Sequence, residues 1–302
     1  MADAVAVFWR VVVPVFLIAT TGYVLGKSKE ISPEAISRIV FYILGPALIF
    51  TSIYRLSIDA GGIRRMFGFS LAYALAMLLI SWGIAAALGY PKKLASAFVL
   101  VGFLVNSGNF GLPLNLFAFG EKGLQWAVIF YLINSILSNS LGVFIAAMGS
   151  HSSLGALKSV LEAPVIYAAG LAGLLRWQGW SIPQPLFKAF DLAGNGAIPV
   201  MLVLLGIQLS RVRLDRDLGA LGAATLVRMG IGPVVAVALA AAFGLSGLAR
   251  KAGILEASMP VAVYTTILTS EFDVYPEFAA GAVFVTTVVS MFTITIILSW
   301  LG

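Results

Sequence analysis

Apolar residues along this chain come in long blocks rather than in alternation. Phe67–Leu88, Phe98–Phe119 and Gly219–Leu245 each run for about the ~20 residues that a helix needs to cross ~30 Å of hydrocarbon. Barrel strands would alternate polar and apolar positions, and these blocks do not. The remaining lipid-spanning solution is an α-helical bundle, because backbone groups in lipid must be satisfied within the segment. With Gly, Pro and charge clusters as punctuation, the pattern predicts ten spans: 5–26, 36–54, 66–89, 95–119, 123–148, 160–176, 187–209, 219–245, 253–271 and 277–301. No connection is long enough for a soluble domain. The longest, near Gly149–Ser159, carries the only histidine, His151, which is read as solvated and given no role. The first block, Ala4–Gly26, follows Asp3 rather than a Lys or Arg and lacks a small-x-small cleavage pattern, so it is read as a retained span.

Composition agrees with this all-α polytopic reading. Hydrophobic residues make up 60% and charged residues 11%, where soluble domains run near ~25% charged. The net charge of +6 does not indicate nucleic acid as a partner, because the basic residues are short flanks between apolar blocks: Lys27/Lys29, Arg64/Arg65, Lys92/Lys93, Arg211/Arg213/Arg216 and Arg250/Lys251. That is headgroup anchoring to the lipid bilayer, and the expected location is the inner (plasma) membrane. The Lys/Arg bias does not orient the chain: with both termini outside, nine basic residues fall on each side. There is no cysteine, which removes thiolate metal sites and Cys nucleophiles, and no Gly-x-x-x-x-Gly-Lys-Ser/Thr loop for nucleotide. No cofactor is expected, and an intramembrane enzyme would need a nucleophile–base pair or metal ligands at depth that this chain does not offer.

The halves echo each other. Gly45-Pro46 lies mid-span in span 2 and Ala197-Ile198-Pro199 in span 7. Spans 3 and 8 both end in Gly before a basic pair. Pro113 in span 4 and Pro260 in span 9 sit among small polar residues. Asn134/Ser138 and Thr286/Ser290/Thr293 form polar stripes in the last span of each half. The expected organisation is a first five-helix repeat over 1–149 and a second over 160–302, inverted because five spans per half is odd.

The sharpest polar segment is Asn106-Ser107-Gly108-Asn109-Phe110-Gly111-Leu112-Pro113. Proline removes a backbone donor and clashes with the carbonyl four residues earlier, that of Asn109, and the glycines ease unwinding. Ser258-Met259-Pro260 repeats the device, freeing the carbonyl of Glu256, with Tyr264, Thr265 and Thr266 following. Non-helical backbone at membrane depth belongs where it is buried in protein or lines an aqueous cavity. The candidate substrate-binding residues are therefore Asn106, Ser107, Asn109, Pro113, Pro260, Tyr264, Thr265, Asn134 and Ser138. Arg228 joins them as the one cation deep in a span, about 13 Å in at 1.5 Å per residue. It has two readings, an anion contact or a helix-holding group bonded to carbonyls or a carboxylate. Glu162 and Asp191 are read as interfacial, and Glu271, Asp273 and Glu277 as a water-facing cluster.

Asn106–Pro113 with Phe119-Gly120 and Gly123-Leu124, Pro46-Ala47-Leu48, Ala257–Ala262, Glu271-Phe272 and Thr287…Ser290…Thr293 resemble the auxin efflux carrier family in its short bacterial form. The resemblance covers essentially the whole chain. It implies ten helices in two inverted repeats with spans 4 and 9 broken and crossing, a scaffold of spans 1, 2, 6 and 7, a moving domain of spans 3–5 and 8–10, and a homodimer through spans 2 and 7. Bile-acid/sodium symporters are similar in fold. The chain departs from the family at Tyr264, where a small amide residue is expected.

The function expected is a secondary carrier of a small organic anion, a carboxylate or auxin-like acid, working by alternating access at the crossover. The alternative is a sodium- or proton-coupled symporter of the bile-acid symporter-like class. Freed carbonyls with Asn, Ser and Thr oxygens suit a hard cation, but the sequence offers the crossover no obvious carboxylate, and a metal is left undetermined.

Overall fold

A computed structural model describes residues 3–29, 31–150, 163–212 and 217–302, and its regular elements are all helical. In chain order they are α1 (Ala4–Ser28), α2 (Pro33–Tyr54), α3 (Ala60–Ala87), α4 (Lys92–Phe103), α5 (Ser107–Gly149), α6 (Pro164–Trp177), α7 (Gln184–Ser210), α8 (Leu218–Ala242), α9 (Gly247–Ala257), α10 (Tyr264–Glu271) and α11 (Pro276–Leu301). Among the described residues seven of these, α1, α2, α3, α5, α7, α8 and α11, are long and apolar enough to cross a membrane. The spans expected over 95–119 and 253–271 are not continuous, since helix is interrupted after Phe103 and after Ala257. His151, Lys158, Glu162, Arg213 and Arg216 lie outside the described residues.

Helix starts follow local chemistry. The Ser32 hydroxyl accepts from the Ala35 amide at 3.2 Å and the Asp217 carboxylate from Ala220 at 3.0 Å, satisfying first-turn donors of α2 and α8. Asp59 does the same for α3, and the Gly62 amide holds its carboxyl below the usual carboxylate range. Gly120 interrupts α5 with φ 65° and ψ −165°, a conformation open to glycine and costly for other residues, so α5 is two helices meeting at that residue.

The prolines act differently from the sequence expectation. Wide π turns at Phe8–Val12, Val40–Leu44, Ser107–Gly111 and Leu226–Ile231 each end two residues before a proline: Pro14, Pro46, Pro113 and Pro233. One extra residue in the turn gives the ring room from the preceding carbonyls and absorbs the missing donor. Pro46 and Pro113 therefore widen their helices without breaking them.

Close packing of α1 on α7 depends on glycine. A Cβ on Gly22 would stand 2.1 Å from the Val203 carbonyl oxygen, and one on Gly206 1.8 Å from that of Ala19. Such small-residue contacts let helices approach where lipid offers no hydrophobic drive. α7 also packs on α2 through Gly194, whose Cβ would meet the Leu48 backbone at 3.0 Å. Leu17, Leu79, Leu192, Phe292 and Ile296 face outward, as lipid-facing positions do.

Candidate functional site

The two interruptions lie against each other. Between α4 and α5, Leu104–Asn106 run extended, and between α9 and α10 the chain is non-helical over Ser258–Val263. Val105 and Val261 form an antiparallel bridge, with the Asn106 amide donating to the Pro260 carbonyl and the Ala262 amide to the Leu104 carbonyl, both at 2.9 Å. Side chains take further groups. Asn134 Nδ2 donates to the Val105 carbonyl at 3.1 Å and to Ser107 Oγ at 2.9 Å, and the Val261 amide donates to Thr286 Oγ1 at 3.2 Å. All of these bonds but the one to Ser107 Oγ satisfy a backbone group that would be costly to bury unpaired. The break thus falls at the start of the Asn106–Pro113 segment, and the Pro260 carbonyl accepts from the Asn106 amide.

Four helix ends meet at this crossover, and one side chain sorts them by sign. Arg228 of α8 is fully buried. Its guanidinium donates to the Gly102 carbonyl near the end of α4 at 3.1 Å, to the Ala257 carbonyl closing α9, and to the Tyr73 hydroxyl of α3. Tyr73 in turn donates to the Ala257 carbonyl at 2.6 Å. A cation therefore covers the two C-terminal ends, where helix dipoles are negative. The N-terminal ends, Ser107 of α5 and Tyr264 of α10, are left facing a cavity.

That cavity holds about 240 Å³ and is walled by Asn106, Ser107, Gly108, Asn109, Asn134, Ser138 and Tyr264, with Ser37, Ser135, Asn139 and Gln208. Six of the ten candidate residues, Asn106, Ser107, Asn109, Asn134, Ser138 and Tyr264, line it, while Pro113, Pro260, Thr265 and Arg228 stand off its wall. Asn106 Nδ2 is buried without an acceptor. Tyr264 donates to Asn139 Oδ1 at 3.0 Å, so α5 supplies an amide at the place where the sequence lacks one.

A larger cavity of about 510 Å³ shares Ser37, Phe41, Gln208, Val263 and Ile267 with the first and carries Glu34, Arg38 and Arg211. The chamber thus adjoins a vestibule between the start of α2 and the end of α7. At the other ends of those helices Arg55 pairs with Asp191 at 2.7 Å, and Gln125 of α5 donates to the Arg55 carbonyl at 3.1 Å and accepts from the Ser57 amide at 3.2 Å. Asp191 is therefore ion-paired and partly exposed, in keeping with its interfacial reading.

Sequence reasoning missed three residues. Gln208 joins the two cavities, and its buried Oε1 lacks a donor. Asn115 of α5 and Glu256 of α9 are both fully buried and share a 3.0 Å bond from Nδ2 to Oε1. A glutamate inside Ala252–Ala257 was the available signal, since an ionisable group in an apolar run is a functional hypothesis by default.

Comparison with known proteins finds transporters that match over most of the chain. An uncharacterized transporter of Methanocaldococcus jannaschii is 25% identical over 299 residues, covering 95% of this chain and 96% of that protein. A Rhizobium meliloti protein whose name proposes malonate transport is 23% identical over 304 residues, covering 94% and 92%. An uncharacterized transporter of Escherichia coli is 23% identical over 276 residues, covering 87% of each. The sequence model of the membrane transport protein family matches residues 7–154 and 151–298, and the chain belongs to that family, the auxin efflux carriers.

Proposed function

We propose that this transporter carries a small organic anion, a carboxylate, by alternating access at the α4–α5/α9–α10 crossover. The observation that carries the reading is the sorting of helix ends. Each N-terminus presents about half a positive charge and amides with no intrahelical acceptor, and Arg228 neutralises the opposing C-termini away from the chamber. The chamber is therefore an anion-accepting surface with an unpaired donor, Asn106 Nδ2, and polar walls. Its volume of about 240 Å³ falls below the usual ~300–1,000 Å³ of small-molecule pockets, which favours a short acid. A dicarboxylate of malonate's size, which the Rhizobium meliloti relative's name proposes for that protein, belongs to this class. Arg38 and Arg211 at the vestibule would gather anions before entry.

The architecture that serves this reading is ten spans in two inverted repeats. α1, α2, α6 and α7 act as scaffold, and α3–α5 with α8–α11 move. The side toward Arg38 and Arg211 is open, and the Arg55–Asp191 and Gln125 contacts hold the other side shut. Uptake of radiolabelled mono- and dicarboxylates into proteoliposomes, with and without imposed sodium and proton gradients, tests the substrate class. Carboxylates should compete with one another and neutral analogues should not. Uptake of a cation or a neutral solute that no carboxylate inhibits would sink the reading.

A further inference from the structure

Glu256 and Asn115 form a sealed cluster beside the crossover with more acceptors than donors. Asn115 Nδ2 gives its protons to Glu256 Oε1 at 3.0 Å and to the Gly111 carbonyl at 3.2 Å. That leaves two buried oxygens, Glu256 Oε2 and Asn115 Oδ1, with no donor. Neither residue lines the chamber or the vestibule. The carboxyl lies flat on Gly111, where a Cβ would stand 2.3 Å from Oε2, so an ion with its own shell of ligands has no room. Among the described residues no three His, Cys, Asp or Glu stand together as metal ligands, and the ion pairs are Arg55–Asp191 and Lys93–Asp273. The charged or titratable groups that neighbouring helices bring to this turn are Arg228 of α8 and Tyr73 of α3, both bonded to the Ala257 carbonyl. α5 brings Asn115, and on α11 the Thr286, Thr287 and Ser290 hydroxyls donate to carbonyls of their own helix.

We propose that Glu256 is a proton-binding site of the carrier: it holds its proton in the state seen here and releases it when the crossover moves. A proton on the carboxyl supplies the donor this cluster lacks, and an ionised carboxylate there would be buried with a single hydrogen bond. The site is wired to the chamber. Asn115 bonds the Gly111 carbonyl, and the Gly111 amide donates to the Asn106 carbonyl at 3.0 Å, so substrate at Asn106 and proton at Glu256 bear on the same turn of α5. In the cycle the acid O–H bond breaks, the proton leaves to water admitted by the moved crossover, and the carboxylate takes a proton from water on the opposite side. No other reactant is needed. The proposal rests on the carrier reading above, but its first measurement does not.

That measurement is the infrared carboxylic-acid C=O band of the purified protein at neutral pH, with glutamate isotopically labelled and exchange into D2O. The wild type should show a protonated-glutamate band that Glu256→Gln lacks. In proteoliposomes an inward proton gradient should drive accumulation by the wild type, while Glu256→Gln keeps substrate exchange across the membrane and loses the gradient response completely. No acid band in the wild type overturns the proposal whether or not the variant folds. So do a band that survives in Glu256→Gln, undiminished gradient-driven accumulation by the variant, or a carboxylate band with melting temperature raised by sodium over potassium, which would make this a cation site. If no carboxylate is carried at all, the anion reading fails while the infrared result still decides whether Glu256 holds a proton.

Discussion

Arg228→Gln tests two effects of a deep guanidinium, the bonds it makes between helices and the charge it sets beside the chamber. In the structure its three acceptors are the Gly102 carbonyl, the Ala257 carbonyl and the Tyr73 hydroxyl, and none of its atoms reaches the chamber wall. Gln is shorter and keeps at most one of these bonds. The Ala257 carbonyl retains Tyr73 as donor at 2.6 Å, so the Gly102 carbonyl is the group left orphaned. Hydrogen bonds to a charged group contribute about 1.5–3 kcal/mol each, and a buried orphan costs about 1–3 kcal/mol. Relief from burying the guanidinium offsets part of that loss, which leaves a destabilisation of about 2–4 kcal/mol. At about 2–4 °C per kcal/mol for larger domains, the melting temperature should fall by about 4–16 °C. Anion affinity on the same preparation, by calorimetry or ligand-induced thermal shift, should fall as well, because the Gly102 and Ala257 carbonyls again set negative helix ends against the chamber's N-termini once the charge is gone. Arg228→Lys should recover part of the stability, because an ammonium can still cover both carbonyls without the planar fork. Anion affinity unchanged beside a lowered melting temperature would refute the charge argument, and an unchanged melting temperature would refute the packing argument.

If the carboxylate proposed above is the substrate, Asn106→Ala and Asn109→Ala should each reduce its binding about tenfold, the ~1.4 kcal/mol of one good hydrogen bond, with little change in melting temperature, because water in the chamber satisfies what is left. Proteoliposome uptake alongside a thermal ramp checks both. Gly206→Leu should prevent a stable fold, since even a Cβ there would stand 1.8 Å from the Ala19 carbonyl oxygen; size-exclusion profiles should show aggregate. A homodimer through α2 and α7 should appear as a dimer mass in nanodiscs and as crosslinks between Cys substituted at exposed Ile43 and Leu192, and a monomer mass at high concentration would count against it.

The helical, apolar character of the chain and the polar segment at Asn106–Asn109 were legible in the sequence for the same reason: both depend on short-range pattern. A block of apolar residues with Gly and Pro at its ends places a helix, and Asn106, Ser107 and Asn109 inside such a block are conspicuous. The sequence misled where a local rule met a tertiary alternative. Proline was read as a breaker at Pro113, but a π turn over Ser107–Gly111 absorbs its ring, and the break falls at Leu104–Asn106, a stretch with neither Gly nor Pro. What holds that break is the pairing with Ala262 and Pro260 and the amide of Asn134, partners 29 to more than 150 residues away. Glu256 escaped for the same cause, since its meaning comes from Asn115 on another helix. The partners of Arg228 include two backbone carbonyls, groups that a sequence cannot distinguish from any others.

Charge explains why a carrier would keep so costly a centre. A broken helix at membrane depth exposes two ends of opposite sign, and two broken helices laid together expose four. Left alone, these ends would largely cancel at the midplane and attract neither anion nor cation. By covering the Gly102 and Ala257 carbonyls, Arg228 removes the negative pair from the account and leaves two N-termini of about +0.5 each. That sum is close to one positive charge, enough to offset one carboxylate in a low-dielectric chamber and too little for two. A monoanion therefore leaves the chamber nearly neutral, and a dianion leaves an excess that must be cancelled from outside the crossover or by entering with one carboxyl protonated. A proton held at Glu256, one residue before the carbonyl that Arg228 covers and linked through Asn115 and Gly111 to Asn106, stands next to that balance. Its loss would add a negative charge beside the substrate, weakening anion binding in whichever state has lost it, and that difference in affinity is what a coupled carrier needs between its two faces.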